Sequence, residues 1–116
     1  MTAAVASQIS DGAAAVLVCS EDAVKRYNLA PRARIHQMTV LADDPVIVLS
    51  APISASRRAL QKAGLRMGDI DRFEVNEAFA PVPIAWIQEL EADPEKVNVR
   101  AARSHSVTRL EQQAHV

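Results

Sequence analysis

At 116 residues the chain is long enough for one small domain or for part of a larger one. Its hydrophobic content of 49% suits a globular core rather than disorder, and a net charge of −1 without a basic block gives nucleic-acid binding no electrostatic support. A single cysteine excludes an internal disulfide framework and fits a reducing compartment, with the cytoplasm as the expected location.

Aromatic residues make up only 3%, so Ala, Val, Ile and Leu must fill the core. The N-terminus lacks a basic region followed by an apolar run, and nothing is long enough to cross a bilayer, so no membrane partner is expected. No internal repeat or low-complexity tract is present.

Residues 1–9 are mostly small and read as a loop. Ser10-Asp11-Gly12 is a turn signal. Residues 13–19 are then uninterrupted and apolar, centred on Val16, Leu17 and Val18. A short apolar run bounded by turn signals suits a strand covered on both faces, with a buried helical segment as the alternative. Cys19 lies inside this run and reads as a small buried hydrophobe, because no basic neighbour prepares it as a nucleophile.

Ser20 can cap a short helix with Glu21 and Asp22 in its first turn and Lys25 and Arg26 nearer its end. Asn28 and Pro31 stop it. Residues 34–41 are β-like, with Ile35, Met38 and Val40, and His36 reads as a sheet-face residue. Asp43-Asp44-Pro45 is a turn. The two acids lack a third ligand nearby, so no metal is assigned to them or to any other residue.

Val46 to Leu49 is again apolar. Ser54 or Ser56 is expected to cap the next helix, which carries Ala59, Leu60 and Ala63 on one face and ends at Gly64. Arg57, Arg58 and Lys62 form its wet face, with an anionic ligand as the alternative reading.

A strand-like pattern, Phe73 to Val75, then runs into Asn76-Glu77-Ala78-Phe79-Ala80. Side chains at strand ends in α/β folds point into the crevice where ligands sit. The bland alternative is an Asn in a tight turn and a Glu opening a helix. After Phe79, Ile84, Ile87 and Leu90 recur at helical spacing beside Trp86. Pro81 and Pro83 require that helix to start late, with both before it or in its first turn. Asp93-Pro94 ends it, and Val97-Asn98-Val99 reads as a short strand. From Arg100 the chain has no apolar period and reads as a solvated tail. His105 and His115 have no partners at metal spacing.

With these segments in order, the chain resembles the thiolases, the acetyl-CoA acetyltransferase / 3-ketoacyl-CoA thiolase family. The matching text is Ala6-Ser7-Gln8-Ile9-Ser10-Asp11-Gly12-Ala13-Ala14-Ala15, the Pro52 to Gly64 helix, Val75-Asn76-Glu77-Ala78-Phe79-Ala80, and Val97-Asn98-Val99. The resemblance implies an α/β fold, a portion of a layered α-β-α-β-α architecture with incomplete sheets. Residues 1–28 would be the end of the N-terminal domain and residues 29–99 the start of the C-terminal domain. Residues 100–116 would be a tail foreign to the family.

The family's reaction is a Claisen condensation or its thiolytic reverse on acyl-CoA, through a Cys thioester, with coenzyme A as substrate rather than as a covalently bound cofactor. The resemblance gives Asn76 the catalytic role of holding a water in an oxyanion hole. It places Ser7 along the pantetheine of coenzyme A and Phe79 in the same tunnel. It also implies a homo-oligomer. The family's nucleophilic Cys falls before this chain, Cys19 is not at that position, and the second Cys and the Gly-His-Pro histidine are not matched. The isolated chain is therefore expected to be inactive and, with unpaired strand edges, prone to aggregate. The alternative is a non-enzymatic truncated product or a small α/β interaction module.

The tail has a specific explanation. Back-translated with Arg as CGN, the text from the third base of the Arg100 codon reads NGC, NGC, NCG, NTC, NCA, YTC, NGT, NAC and NCG. These triplets permit Gly-Gly-Ala-Ile-Ala-Leu-Gly-His-Pro, the family's continuation. With Leu110 as TTR, they go on to permit Leu-Gly-Ala-Thr-Gly-Ala-Arg up to Val116. The expectation is a slip of reading frame near Val99, with His105 and His115 as by-products.

Overall fold

A computed structural model describes residues 11–99. Its elements run, in chain order, α1 (Glu21–Arg26), α2 (Ala51–Ala63) and α3 (Pro81–Leu90), with 3-10 turns at Val48–Ser50, Met67–Asp69 and Pro94–Lys96. The helices follow from local chemistry. Ser20 is extended, and its Oγ accepts from the Ala23 N–H at 3.2 Å, which opens α1. Acids fill the first turn and Lys25 and Arg26 the last, in line with the helix dipole, and Lys25 meets Glu21 at 2.9 Å. Asn28, at φ 49°, turns the chain out of the helix.

α2 starts earlier than Ser54 or Ser56. It is entered through the 3-10 turn, with Ser50 as the capping position and Pro52 in the first turn, where a missing N–H costs nothing. The Ser50 hydroxyl donates to Asp43 Oδ2 at 3.1 Å, which ties the entry to the Asp43-Asp44 turn. Asp43 also accepts from the Asp44 N–H and Asp44 from the Val46 N–H, so both acids serve the turn. α2 ends at Gly64, as its sequence dictates. Gly64 has φ 69°, and the Leu65 N–H closes on the Leu60 carbonyl at 3.0 Å. Ile53, Ala59, Leu60 and Ala63 are half-buried, while Arg57, Arg58 and Lys62 face water.

α3 begins at Pro81, so both prolines fall in its first turn. Its buried stripe is Val82, Pro83, Trp86 and Leu90. Ile84 and Ile87, expected on that stripe, are half-buried at its edge. The helix closes at Glu91 in the left-handed region, before Asp93-Pro94, and Asp93 instead caps the Pro94–Lys96 turn. Arg57 reaches across from α2 to the Glu89 carbonyl at 2.8 Å and its carboxylate at 3.3 Å. That pair is exposed and contributes ~0.2–1 kcal/mol.

The core lies between α2, α3 and the two segments around Phe73 and Val97. Trp86, Leu90, Ala92 and Val97 are buried, with Ile53, Met67, Phe73, Val75 and Ile87 packed against them. Phe73 and Trp86 meet edge to face at 5.1 Å. The expected strands 73–75 and 97–99 reduce to one parallel bridge, Phe73 with Val97.

The other expected strands do not form among the described residues. Residues 13–19 form no regular element and are exposed, with Val16 at 84% and Leu17 at 78%. Cys19 is exposed rather than buried. Residues 34–41 are likewise unpaired, with Val40 at 97%, and His36 faces water rather than a sheet. The physical reason is that a parallel strand needs a neighbour delivered by a crossover and a layer on each face. Among the described residues nothing supplies either to these runs. No helix among them is long and apolar enough to cross a membrane.

Two outcomes follow from this packing. Trp86→Ala removes the central ring and should cost about 3–5 kcal/mol in urea unfolding followed by circular dichroism. Ser56→Ala, which only orphans the indole N–H, should cost about 1–3 kcal/mol. Separately, amides of α2 and α3 should resist hydrogen exchange while residues 13–19 and 34–41 exchange freely. Replacing Leu17 and Ile35 by Lys should reduce self-association in sedimentation velocity without loss of helix signal.

Candidate functional site

The bridge between Phe73 and Val97 fixes where the Asn76 loop begins. The Phe73 N–H donates to the Lys96 carbonyl at 2.9 Å, and the Asn98 N–H donates to the Phe73 carbonyl at 2.8 Å. Lys96 secures the segment before it by donating from Nζ to the Ile70 carbonyl at 2.8 Å. Two residues on, Val75 is held by a side chain. Its N–H donates to Asn98 Oδ1 at 2.7 Å, and its carbonyl accepts from Asn98 Nδ2 at 3.0 Å. Asn98 Nδ2 also donates to Glu77 Oε1 at 3.1 Å. After Glu77 the chain turns into α3, whose first hydrogen bond runs from the Val82 N–H to the Phe79 carbonyl at 2.9 Å.

Beside this loop is a cleft of about 500 Å³. One wall is Leu49, Pro52, Ala55 and Ser56 from the entry and first turns of α2. The second is Phe73, Glu74, Val75, Asn76 and Ala78, and the third is Val82 and Trp86 of α3. The volume is that of a small-molecule pocket, and the lining is mostly apolar with few polar groups. Ser56 Oγ is already engaged by the Trp86 indole N–H at 2.9 Å.

Of the residues singled out from the sequence, Asn76 lines the cleft and is exposed, so its carboxamide is presented rather than consumed by the fold. Phe79 is half-buried at the start of α3 and is not on the cleft wall. Ser7 lies outside the described residues, as do His105 and His115. Cys19 and His36 are not brought to the cleft. Its described lining therefore offers an amide donor and acceptor and a carboxylate, without a thiol or imidazole. No group of three metal-ligating side chains occurs among the described residues.

Asn98 is the site residue that the strand-like text around it hides. Its signal was its type. Asn tolerates the left-handed region, where it sits at φ 50°, and carries a peptide-like side chain.

Comparison with known proteins bears on the whole arrangement. Residues 29–103 match the family model described as thiolase, C-terminal domain. A steroid 3-ketoacyl-CoA thiolase of Mycobacterium tuberculosis is 61% identical over 98 residues, covering 84% of this chain and 24% of the relative. The mitochondrial 3-ketoacyl-CoA thiolase of Bos taurus is 50% identical over 99 residues, covering 85% of this chain and 25% of its own length. The chain thus spans about a quarter of the curated relatives it matches.

Among solved structures, human mitochondrial 3-ketoacyl-CoA thiolase superposes with a TM-score of 0.66 at 49% identity, covering 69% of this chain and 20% of that one. The acetyl-CoA acetyltransferase of Bacillus anthracis gives 0.66 at 42% identity, with the same coverage. By a family match across most of its length and by the α/β fold it shares with these neighbours, the chain belongs to the thiolase family.

Proposed function

We propose that this chain carries the oxyanion-hole side of an acetyl-CoA C-acyltransferase, the class that performs Claisen condensation or thiolysis of acyl-CoA through a Cys thioester, and that alone it does not turn over. The observation that carries the reading is Asn76, exposed on the lining of a cleft and flanked by two residues that Asn98 holds. In the family the equivalent amide holds a water that stabilises a developing oxyanion. Such a donor lowers a barrier only where a nucleophile attacks.

The chain has one cysteine, and Cys19 is exposed and not among the residues that line the cleft. Without a thiolate at the cleft, an amide, a carboxylate and a bound water leave no route to a Cys acyl-enzyme. One solved relative is a human mitochondrial 3-ketoacyl-CoA thiolase in complex with CoA, with a TM-score of 0.65 at 48% identity. Its ligand supports coenzyme A and acyl-CoA as the substrates, with Asn76 in the oxyanion-hole role and Ser7 and Phe79 in the roles the family resemblance gives them.

The finer organisation belongs to the same proposal. Residues 1–28 close an N-terminal thiolase domain and residues 29–99 open the C-terminal one, which the start of the family match at residue 29 supports. Residues 100–116 are read out of frame, which the codon arithmetic of Arg100 to Val116 supports. Homo-oligomer formation follows the family, and a cytoplasmic location rests on the single cysteine. The second reading, a non-enzymatic product or small interaction module, is favoured by the exposed apolar runs at residues 13–19 and 34–41.

Incubation of purified chain with a 3-ketoacyl-CoA and coenzyme A, followed by loss of the ketoacyl absorbance, should show no rate above background. Turnover without a helper protein would overturn the proposal. Sequencing of the coding DNA should show Gly-Gly-Ala-Ile-Ala-Leu-Gly-His-Pro in the shifted frame, and a codon choice that forbids it would remove the frame-slip explanation.

A further inference from the structure

In a parallel pair, a residue on one strand donates to and accepts from the two residues that flank its partner. Phe73 does this with its backbone: it donates to the Lys96 carbonyl and accepts from the Asn98 N–H. Were the ladder to continue, Val75 would donate to the Asn98 carbonyl and accept from the next peptide N–H. Instead both bonds go to the Asn98 side chain, with Oδ1 accepting from the Val75 N–H at 2.7 Å and Nδ2 donating to the Val75 carbonyl at 3.0 Å. The carboxamide stands in for a peptide group. Asn98 itself, at φ 50°, turns the main chain out of the ladder that its side chain prolongs. The second Nδ2 hydrogen goes to Glu77 Oε1 at 3.1 Å.

These three partners also fix which way the amide faces. Val75 N–H needs an acceptor, while the Val75 carbonyl and the Glu77 carboxylate need donors, so a flipped carboxamide would fail all three. The bonds fall on the residues immediately before and after Asn76. Asn76 is thereby clamped at both neighbours while its own carboxamide stays exposed at the cleft.

We infer that Asn98 is a positioning residue for Asn76: it mimics a strand to hold the Asn76 loop in one conformation where the main chain has already left the ladder. The inference rests on the acyl-transfer reading of Asn76, but the clamp itself does not depend on acyl-CoA. The competing explanation is that Asn98 is there only because asparagine accepts a left-handed φ.

Asn98→Gly separates the two, since glycine keeps the backbone turn and deletes the carboxamide. The test uses the whole 116-residue chain and nuclear magnetic resonance hydrogen exchange. In Asn98→Gly the Val75 N–H should lose protection about tenfold. The backbone amide resonances of Asn76 and Glu77 should move toward random-coil values, and the Trp86 indole N–H should be unchanged. Val75 protection that survives Asn98→Gly overturns the clamp. So does an equal loss at Trp86 in a chain that keeps its helical circular dichroism, because that would show a general structural role.

The unsubstituted chain supplies an independent test should the glycine variant fail to fold. There the Asn98 carboxamide protons should exchange roughly tenfold more slowly than those of exposed Asn28. Equal rates would overturn the inference. Turnover by the chain alone would overturn the proposed function and leave these readouts untouched.

Discussion

The indole of Trp86 is the constraint on which the described structure depends. It belongs to α3, packs edge to face on Phe73, and donates its N–H to Ser56 of α2. Three elements distant in sequence thereby share one ring that is 3% exposed. Burying an indole N–H without an acceptor costs free energy, so Ser56 is less an ornament of α2 than a condition on its rotation about its own axis. The edge-to-face geometry adds about 0.5–1.5 kcal/mol beyond area burial and sets the angle at which Phe73 arrives. Once Phe73 is placed, the bridge to Val97 follows, and with it the position of the Asn76 loop. The cleft is the space left over, and Phe73 and Trp86 form two of its walls.

Against this fixed corner, the first part of the described chain shows what propensity cannot do. Val16, Leu17, Val18, Ile35, Met38 and Val40 are apolar residues suited to a sheet interior, yet they stand in water. Strand propensity reflects a side chain's fit to a pleated, half-buried surface, so without a neighbouring strand there is little to express. The bridge between Phe73 and Val97 forms because α3 and the Pro94–Lys96 turn make a helical crossover that returns the chain beside Phe73. Residues 13–19 and 34–41 find no pairing partner among the described residues. The solved thiolases that superpose on this chain do so over 20% of their length, and parallel sheets draw their strands from across a chain.

The same distinction explains what could be read without coordinates. Ser20, Gly64 and the Pro81-Val82-Pro83 start of α3 act within a few residues of themselves, and each does what its chemistry requires. Ser54 and Ser56 were attractive caps by type. The start of α2 was decided instead by Pro52 and by the hydrogen bond from Ser50 to Asp43, seven residues back. Asn76 could be singled out because the Asn-Glu-Ala-Phe block resembles a family motif. Asn98 was not, because its role is a relation to Val75 and Glu77 more than 20 residues away. A left-handed asparagine at the end of a β-like triplet looks like a simple turn until the partners of its carboxamide are known.

On the proposed reading the two asparagines divide a single task. An oxyanion hole works by having its dipoles aimed before charge appears, so that no reorganisation is needed at the moment of reaction. A loop residue ordinarily fails that requirement, since its backbone samples several conformations and its side chain samples more. Asn98 commits its carboxamide to backbone groups at Val75 and to the carboxylate of Glu77. The entropy of fixing the loop is thereby met by hydrogen bonds formed during folding rather than by substrate binding. Asn76 keeps its own carboxamide open to solvent or ligand. Exchanging the two roles would not work: an amide that anchors the loop has no donor left for an oxyanion, and an exposed one cannot anchor anything.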